Sequence, residues 1–221
     1  MPRKPHFPRF GAMLLLIAAL AFGVAACGDD SSSSDESSAD AEPQAELADL
    51  KGEATDVTLD QGFLDALEKL QVTPGPVGDA EISSGGVASF PITGGNVTYY
   101  GPSSPVRPYV QGIIDHENSG LSLEAGDTKV ELTDFVIDPG TSELTGNVSA
   151  NGKEIVSDAT LFDLDGSTLK PLESASDGSA TLEGTTVLLS DDAAALLNDT
   201  FEIDALQGGL PVGTSSITVS G

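Results

Sequence analysis

From Ala54 to Gly221 the chain never runs ten residues without a Gly, Pro, Asn or Asp. A chain punctuated this often cannot build long helices, because Gly and Pro each break helical backbone and Asn and Asp compete for its hydrogen bonds. What it can build is many short strands joined by tight turns. The apolar runs predict strands at Ala54–Leu59, Val77–Ile82, Val87–Ile92, Asn96–Tyr100 and Tyr109–Asp115. They continue at Gly120–Glu124, Lys129–Asp138, Glu143–Ser149, Lys153–Ser157, Ala159–Leu164, Ala180–Leu189 and Ser215–Ser220. Several alternate with period two, as in Val130, Leu132 and Asp134 against Glu131, Thr133 and Phe135. Asn151-Gly152 between two such runs is the strongest hairpin signal. The fold class expected is all-β with minor α: an antiparallel β-sandwich carrying two short helices.

The two helices stand out from this pattern. Asp60 precedes Phe63, Leu64, Leu67 and Leu70, and Ser190 precedes Ala193, Ala194, Leu196 and Leu197, each a cap residue ahead of an apolar stripe. Each helix lies between a strand and a Pro-Val-Gly, at Pro76-Val77-Gly78 and Pro211-Val212-Gly213, which would turn the chain into a return strand. The repetition predicts two similar units flanking a central meander, and a single domain over residues 54–221.

The N-terminal segment has a different logic. Arg3, Lys4 and Arg9 precede sixteen uncharged residues, Gly11–Ala26, which are short of the roughly 20 needed for a permanent span and suit a signal peptide. The segment ends in Val24-Ala25-Ala26-Cys27, which resembles the lipobox of bacterial lipoproteins. Residues 1–26 are accordingly a signal peptide, and Cys27, the only cysteine, is the lipidated new N-terminus. A lone thiol in an exported chain has no internal disulfide partner, and lipidation accounts for it. The expected location is the outer face of the bacterial cytoplasmic membrane, held there by lipid on Cys27. Residues 27–53, acidic and Ser-rich, read as a disordered linker.

Charge narrows the partners. Beyond residue 26 stand all 35 acids and six bases, so the exported chain carries close to −29 (6 − 35). Nucleic acid is excluded as a partner, because phosphate binding needs clustered Lys and Arg. Catalytic signatures are absent: there is no Gly-x-Ser-x-Gly elbow or phosphate-binding Gly loop, and His116 lacks the second His of a zinc-hydrolase helix. No enzyme is expected. Asp163-Leu164-Asp165-Gly166 has the opening of a calcium loop without its later ligands, and reads as a strand end with a turn. No metal site is expected.

One cluster carries chemistry. Tyr99, Tyr100, Tyr109 and His116, all the tyrosines and the only histidine beyond residue 26, fall within eighteen residues around a Pro-rich loop. Tyrosinate is one of the axial ligands of haem iron. The alternative is that the tyrosines cover a sheet edge and His116 sits at a solvated turn.

Phe90-Pro91-Ile92-Thr93-Gly94-Gly95, Gly112-Ile113-Ile114-Asp115-His116 and Gly120-Leu121-Ser122-Leu123 resemble the HtaA domain of actinobacterial cell-surface haem-uptake proteins. Val130–Asp138 and Leu144–Val148 extend the resemblance to about Leu164, so that it covers about half of the domain. It implies a surface-tethered β-sandwich that binds haem through a tyrosine supported by a histidine. The candidates here are Tyr109 and His116. One departure is evident: the family's aromatic-Arg-x-Tyr segment precedes its Phe-Pro strand, whereas Val106-Arg107-Pro108-Tyr109 follows it. Two functions are therefore expected: a haem-binding module, or a structural or adhesive surface protein with no cofactor.

Overall fold

The computed structural model describes residues 41–221. The signal peptide and Cys27 lie outside the described residues. The strands are β1 (Ala45–Leu47), β2 (Ala54–Leu59), β3 (Thr73–Gly78), β4 (Glu81–Ile82), β5 (Val87–Pro91) and β6 (Gly94–Tyr99), then β7 (Val110–Ala125), β8 (Thr128–Asp138) and β9 (Glu143–Ala150). The rest are β10 (Lys153–Asp165), β11 (Glu173–Ser174), β12 (Ala180–Leu189) and β13 (Pro211–Val219), with helices α1 (Gln61–Lys69) and α2 (Asp191–Phe201). The mostly-β, antiparallel class with two short helices is as expected.

The sandwich itself needs restating. All thirteen strands belong to one sheet, ordered β1-β6-β7-β8-β9-β10-β12-β13-β2-β5-β4, with β3 added on β7 and β11 on β12. Strands far apart in that order nevertheless touch. Phe90 of β5 packs edge-on against Phe135 of β8 with ring centroids 5.3 Å apart, and Phe135 does the same to Phe162 of β10 at 6.3 Å. The two faces that meet are thus one sheet curled over on itself.

The curl has a visible cause. β7 loses register between His116 and Gly120, β8 between Thr133 and Val136, and β10 between Val156 and Ala159. In each gap sits an Asn or Asp with left-handed backbone: Asn118 (φ 56), Asp134 (φ 54) and Asp158 (φ 52). Asn and Asp tolerate that conformation better than other side-chain-bearing residues, and bulges bend a strand without ending it. Hydrogen bonds link the gaps across the sheet. Asp134 accepts from the Asn118 backbone N–H (3.0 Å) and from Asn147 Nδ2 (3.2 Å), and Asn147 Oδ1 accepts from the Asp158 N–H (3.2 Å). At the β3 edge the same line ends on Gly78, where a Cβ would lie 1.8 Å from the Asn118 carbonyl oxygen. Partial burial raises the Asp134 carboxyl pKa, but the donors from Asn118, Asn147 and Thr133 outweigh it and hold the group below its ordinary value.

The helices start where the sequence placed them: Asp60 Oδ1 accepts from the Gly62 N–H at 2.7 Å, and Ser190 Oγ from the Ala193 N–H at 3.0 Å. The expected likeness between the terminal units is only partial. β12 and β13, either side of α2, pair directly, whereas β2 pairs β5 and β13 while β3 pairs β7. Neither Pro-Val-Gly is a turn: Pro76-Val77-Gly78 ends β3 and Pro211-Val212-Gly213 opens β13. The expected linker over residues 27–53 also needs correcting where it is described. Ala45–Leu47 pairs with β6, and Leu50 is buried, its N–H donating to the Gly95 carbonyl at 3.0 Å. Acidic composition concealed three apolar side chains (Ala45, Leu47, Leu50) spaced to cover a sheet edge.

Candidate functional site

The curled sheet is filled unevenly. Toward the bulges, Phe90, Phe135 and Phe162 close the interior. Toward the opposite end, a cavity of about 400 Å³ remains open between the two faces. Its inward positions carry short side chains, Thr55 of β2, Thr185 of β12 and Ser215 of β13, between aliphatic ones such as Ile114, Leu182 and Ile217. Exposed residues, among them Arg107, Ser142 and Ser167, ring its mouth. That size falls in the range of pockets that bury small organic ligands.

Tyr109 lines this cavity beside Tyr99. The two rings meet edge to face with centroids 5.9 Å apart. The contact follows from topology: β6 and β7 are antiparallel neighbours whose last pair, Tyr99 and Val110, places Tyr109 just beyond it. Tyr99 is buried and Tyr109 half-buried. Arg107 of the connecting loop holds its guanidinium 5.9 Å from the centre of the Tyr109 ring. Tyr100 does not line the cavity; its N–H donates to the Tyr109 carbonyl at 2.7 Å.

His116 is elsewhere. It is buried, 1 % exposed, and faces a separate small void of about 40 Å³ behind the cavity floor, beside Phe90 and Phe135. Six residues of extended chain stand between it and Tyr109, roughly 20 Å at strand rise. Both ring nitrogens are engaged. Nδ1–H donates to the Phe135 carbonyl (3.2 Å), which can only accept, so Nε2 accepts from the Thr55 hydroxyl (2.8 Å). Burial lowers its pKa to about 4, against a smaller raising effect from the Phe135 hydrogen bond, so the ring is neutral near pH 7. Of the expected pair, then, Tyr109 stands on the cavity wall, and His116 lies off it, hydrogen-bonded to Thr55, which borders both spaces. The solvated-turn alternative for His116 does not hold either, since the ring is in the core.

Sequence reasoning missed Thr55 and Arg107 as site residues. Thr55 carries no motif, and Arg107 enters the sequence reading only as part of Val106-Arg107-Pro108-Tyr109; each matters because the fold sets it beside an unfilled space. Asp165, in the calcium-like stretch, spends its carboxylate on the Ser167 N–H (2.8 Å) at a 3-10 turn that ends β10, the strand-end reading. Among the described residues no three His, Cys, Asp or Glu side chains converge as a metal site, and no helix is long and apolar enough to cross a membrane.

No protein-family model and no curated protein matches the chain. Solved structures do. The C-terminal domain of HtaA from Corynebacterium glutamicum superposes with a TM-score of 0.55 at 12% identity, covering 78% of this chain and 98% of that one. The N-terminal domain of the same protein gives 0.48 at 17% identity, over 79% and 98%. The haem-binding protein HtaB from that organism gives 0.47 at 8% identity, over 80% and 96%. With the curled antiparallel sheet and the two helices, the first of these shows that the chain has an HtaA-like fold.

Proposed function

We propose that the chain is a binding module of the cell surface, anchored by lipid on Cys27 to the outer face of the cytoplasmic membrane, and that it takes haem into the cavity beside Tyr109. The observation that carries the reading is the cavity itself. An apolar space of about 400 Å³ left open in a domain whose other end is packed with aromatic rings is a place for a ligand.

The residues present fit haem in part. The Tyr109 phenol is on the wall, where a bound molecule meets it, and the HtaA-like fold supports the choice of haem. Haem would bring a ferric iron that an anionic oxygen donor suits, and tyrosinate is such a donor. His116, with both nitrogens engaged, supplies no ligand; its part is to hold the Thr55 hydroxyl and so shape the cavity floor. In this reading the chain binds and presents a molecule and catalyses nothing.

Titration of the exported chain with ferric haem tests the reading. A saturable Soret band at one-to-one stoichiometry, shifted or lost in Tyr109→Phe, supports it. A flat titration leaves a structural or adhesive surface protein. An unchanged spectrum in Tyr109→Phe removes Tyr109 as the ligand. The chain should begin ahead of Ala45, because starting at Ala54 deletes β1 and Leu50. Anchoring is tested separately: Cys27→Ser should release the chain from the membrane fraction, and retention there overturns the lipid assignment.

A further inference from the structure

Arg107 is exposed at the cavity mouth, and its guanidinium is fixed by backbone rather than by acid. Nη1 donates to the carbonyls of Ser104 and Val106, and Nη2 to that of Pro102 at 3.0 Å. Three of the five guanidinium N–H groups are thereby used and two remain. Lys51, Lys129 and Lys170 each sit on a carboxylate, Asp49, Glu131 and Glu183 respectively. Among the described residues Arg107 forms no such ion pair, in a chain with 35 acids. Among the same residues Lys69 and Lys153 likewise form no ion pair, but of these unpaired bases only Arg107 stands at the cavity mouth. Carbonyls orient a guanidinium without neutralising it, so the full charge is held in place beside the Tyr109 ring, at the edge of an apolar cavity. A rigid, uncommitted guanidinium is the preferred partner of a carboxylate.

We propose that the cavity selects an apolar molecule that ends in a carboxylate, with its apolar body between the sheet faces and the carboxylate on the two remaining N–H groups of Arg107. The proposal rests on the cavity being a ligand site, as above, and not on iron ligation by Tyr109. Porphyrin propionates and fatty acids share this chemistry. The overall charge of the chain argues for a local device: a surface so acidic repels anions, and one fixed cation at the mouth admits a ligand whose apolar part supplies most of the affinity.

The test uses iron-free protoporphyrin IX and its dimethyl ester, followed by porphyrin fluorescence, and a long-chain fatty acid and its methyl ester as competitors. The acid that binds should do so roughly tenfold or more tightly than its ester. Arg107→Gln should bring the acid down to the ester's affinity and leave the ester unchanged, with Arg107→Lys in between and with unfolding midpoints like that of the parent chain. Protoporphyrin alone binding makes the apolar body a planar ring; the fatty acid alone makes it a chain. Equal affinity of acid and ester, an acid indifferent to Arg107→Gln, or no binding of either acid overturns the proposal. The two readings fail separately. Acid selectivity with a haem spectrum indifferent to Tyr109→Phe removes only the iron ligand. A Tyr109-dependent haem spectrum with no acid selectivity removes only the carboxylate site.

Discussion

The two ends of the curled sheet share β7, β8 and β10 and differ in what the sheet puts inside them. At the bulged end, β5, β8 and β10 contribute Phe90, Phe135 and Phe162, and β7 contributes His116, all buried. At the open end, β2, β12 and β13 contribute Thr55, Thr185 and Ser215, and a cavity of about 400 Å³ results. A curled sheet has no intrinsic need to be hollow, since side chains fill small barrels and sandwiches when they are large enough. The contrast teaches that packing is unevenly divided along the strands: one end holds the fold, and the other leaves the space that the proposed ligand would fill.

The largest effect should come from emptying the filled end. Phe135→Ala removes a ring that touches two others and is 3 % exposed, and should cost about 3–5 kcal/mol in urea unfolding. Ile217→Ala, on the cavity wall, should cost only about 1 kcal/mol, because part of its surface already faces empty space and has no contacts to lose. Equal losses in the two variants would mean that the open end is packed after all.

Acid should attack the same end next. The folded pKa of His116 is lowered to about 4 from 6.5, so between these values the unfolded chain takes up a proton that the folded chain refuses. Stability is therefore present above about pH 6.5 and falls as the pH drops toward 4, by about 3 kcal/mol in total. His116→Gln should flatten that slope. Asp134 acts in a lower window: its pKa is held below 3.8, so the stability it adds is present above 3.8 and is lost as the pH falls through its folded value. A slope between pH 6.5 and 4 that survives His116→Gln would place the sensitive group elsewhere.

The bulge line should respond more modestly. Asp134→Ala leaves the Asn118 N–H and the Asn147 amide without their acceptor and puts Ala at φ 54, costing about 2 kcal/mol. Asp134→Asn keeps the backbone preference and one acceptor oxygen, and should cost about 1 kcal/mol. The measurement is the urea midpoint of each. Equal loss in both would mean that the carboxylate charge, rather than the bend, matters at this position.

These bends also mark where the sequence was hard to read. β2 and β12 are legible to the residue, as are the Asp60 and Ser190 caps and the Asn151-Gly152 turn, because each depends on neighbours in the chain. Tyr109–Asp115 and Gly120–Glu124 read as two strands, but they are the two halves of β7. Polar Glu117, Asn118 and Ser119 look like a turn, and the strand passes through them by bulging at Asn118. The site divides the same way. Tyr99 and Tyr109 meet across the β6–β7 connection, and their closeness in sequence makes that pairing legible. The cavity is bounded by Thr55, Thr185 and Ser215, which are far apart in sequence, and a small residue facing inward has no local signature.

The smallest expected change in stability is the one that bears most on function. Leu182→Trp puts an indole into the cavity from β12, where the space is already open, so the unfolding midpoint should move by less than about 1 kcal/mol. Uptake of ferric haem and of iron-free protoporphyrin should fall together, tenfold or more, because both need the same volume. Phe135→Leu offers the converse: it loosens the filled end, should lower the midpoint by more than Leu182→Trp does, and should leave uptake close to that of the parent chain. If Leu182→Trp still takes up both molecules, they bind outside the cavity, and Tyr109 and Arg107 lose their roles together. If uptake follows the midpoint in both variants, the two ends are one cooperative unit, and the division of labour along the strands is wrong.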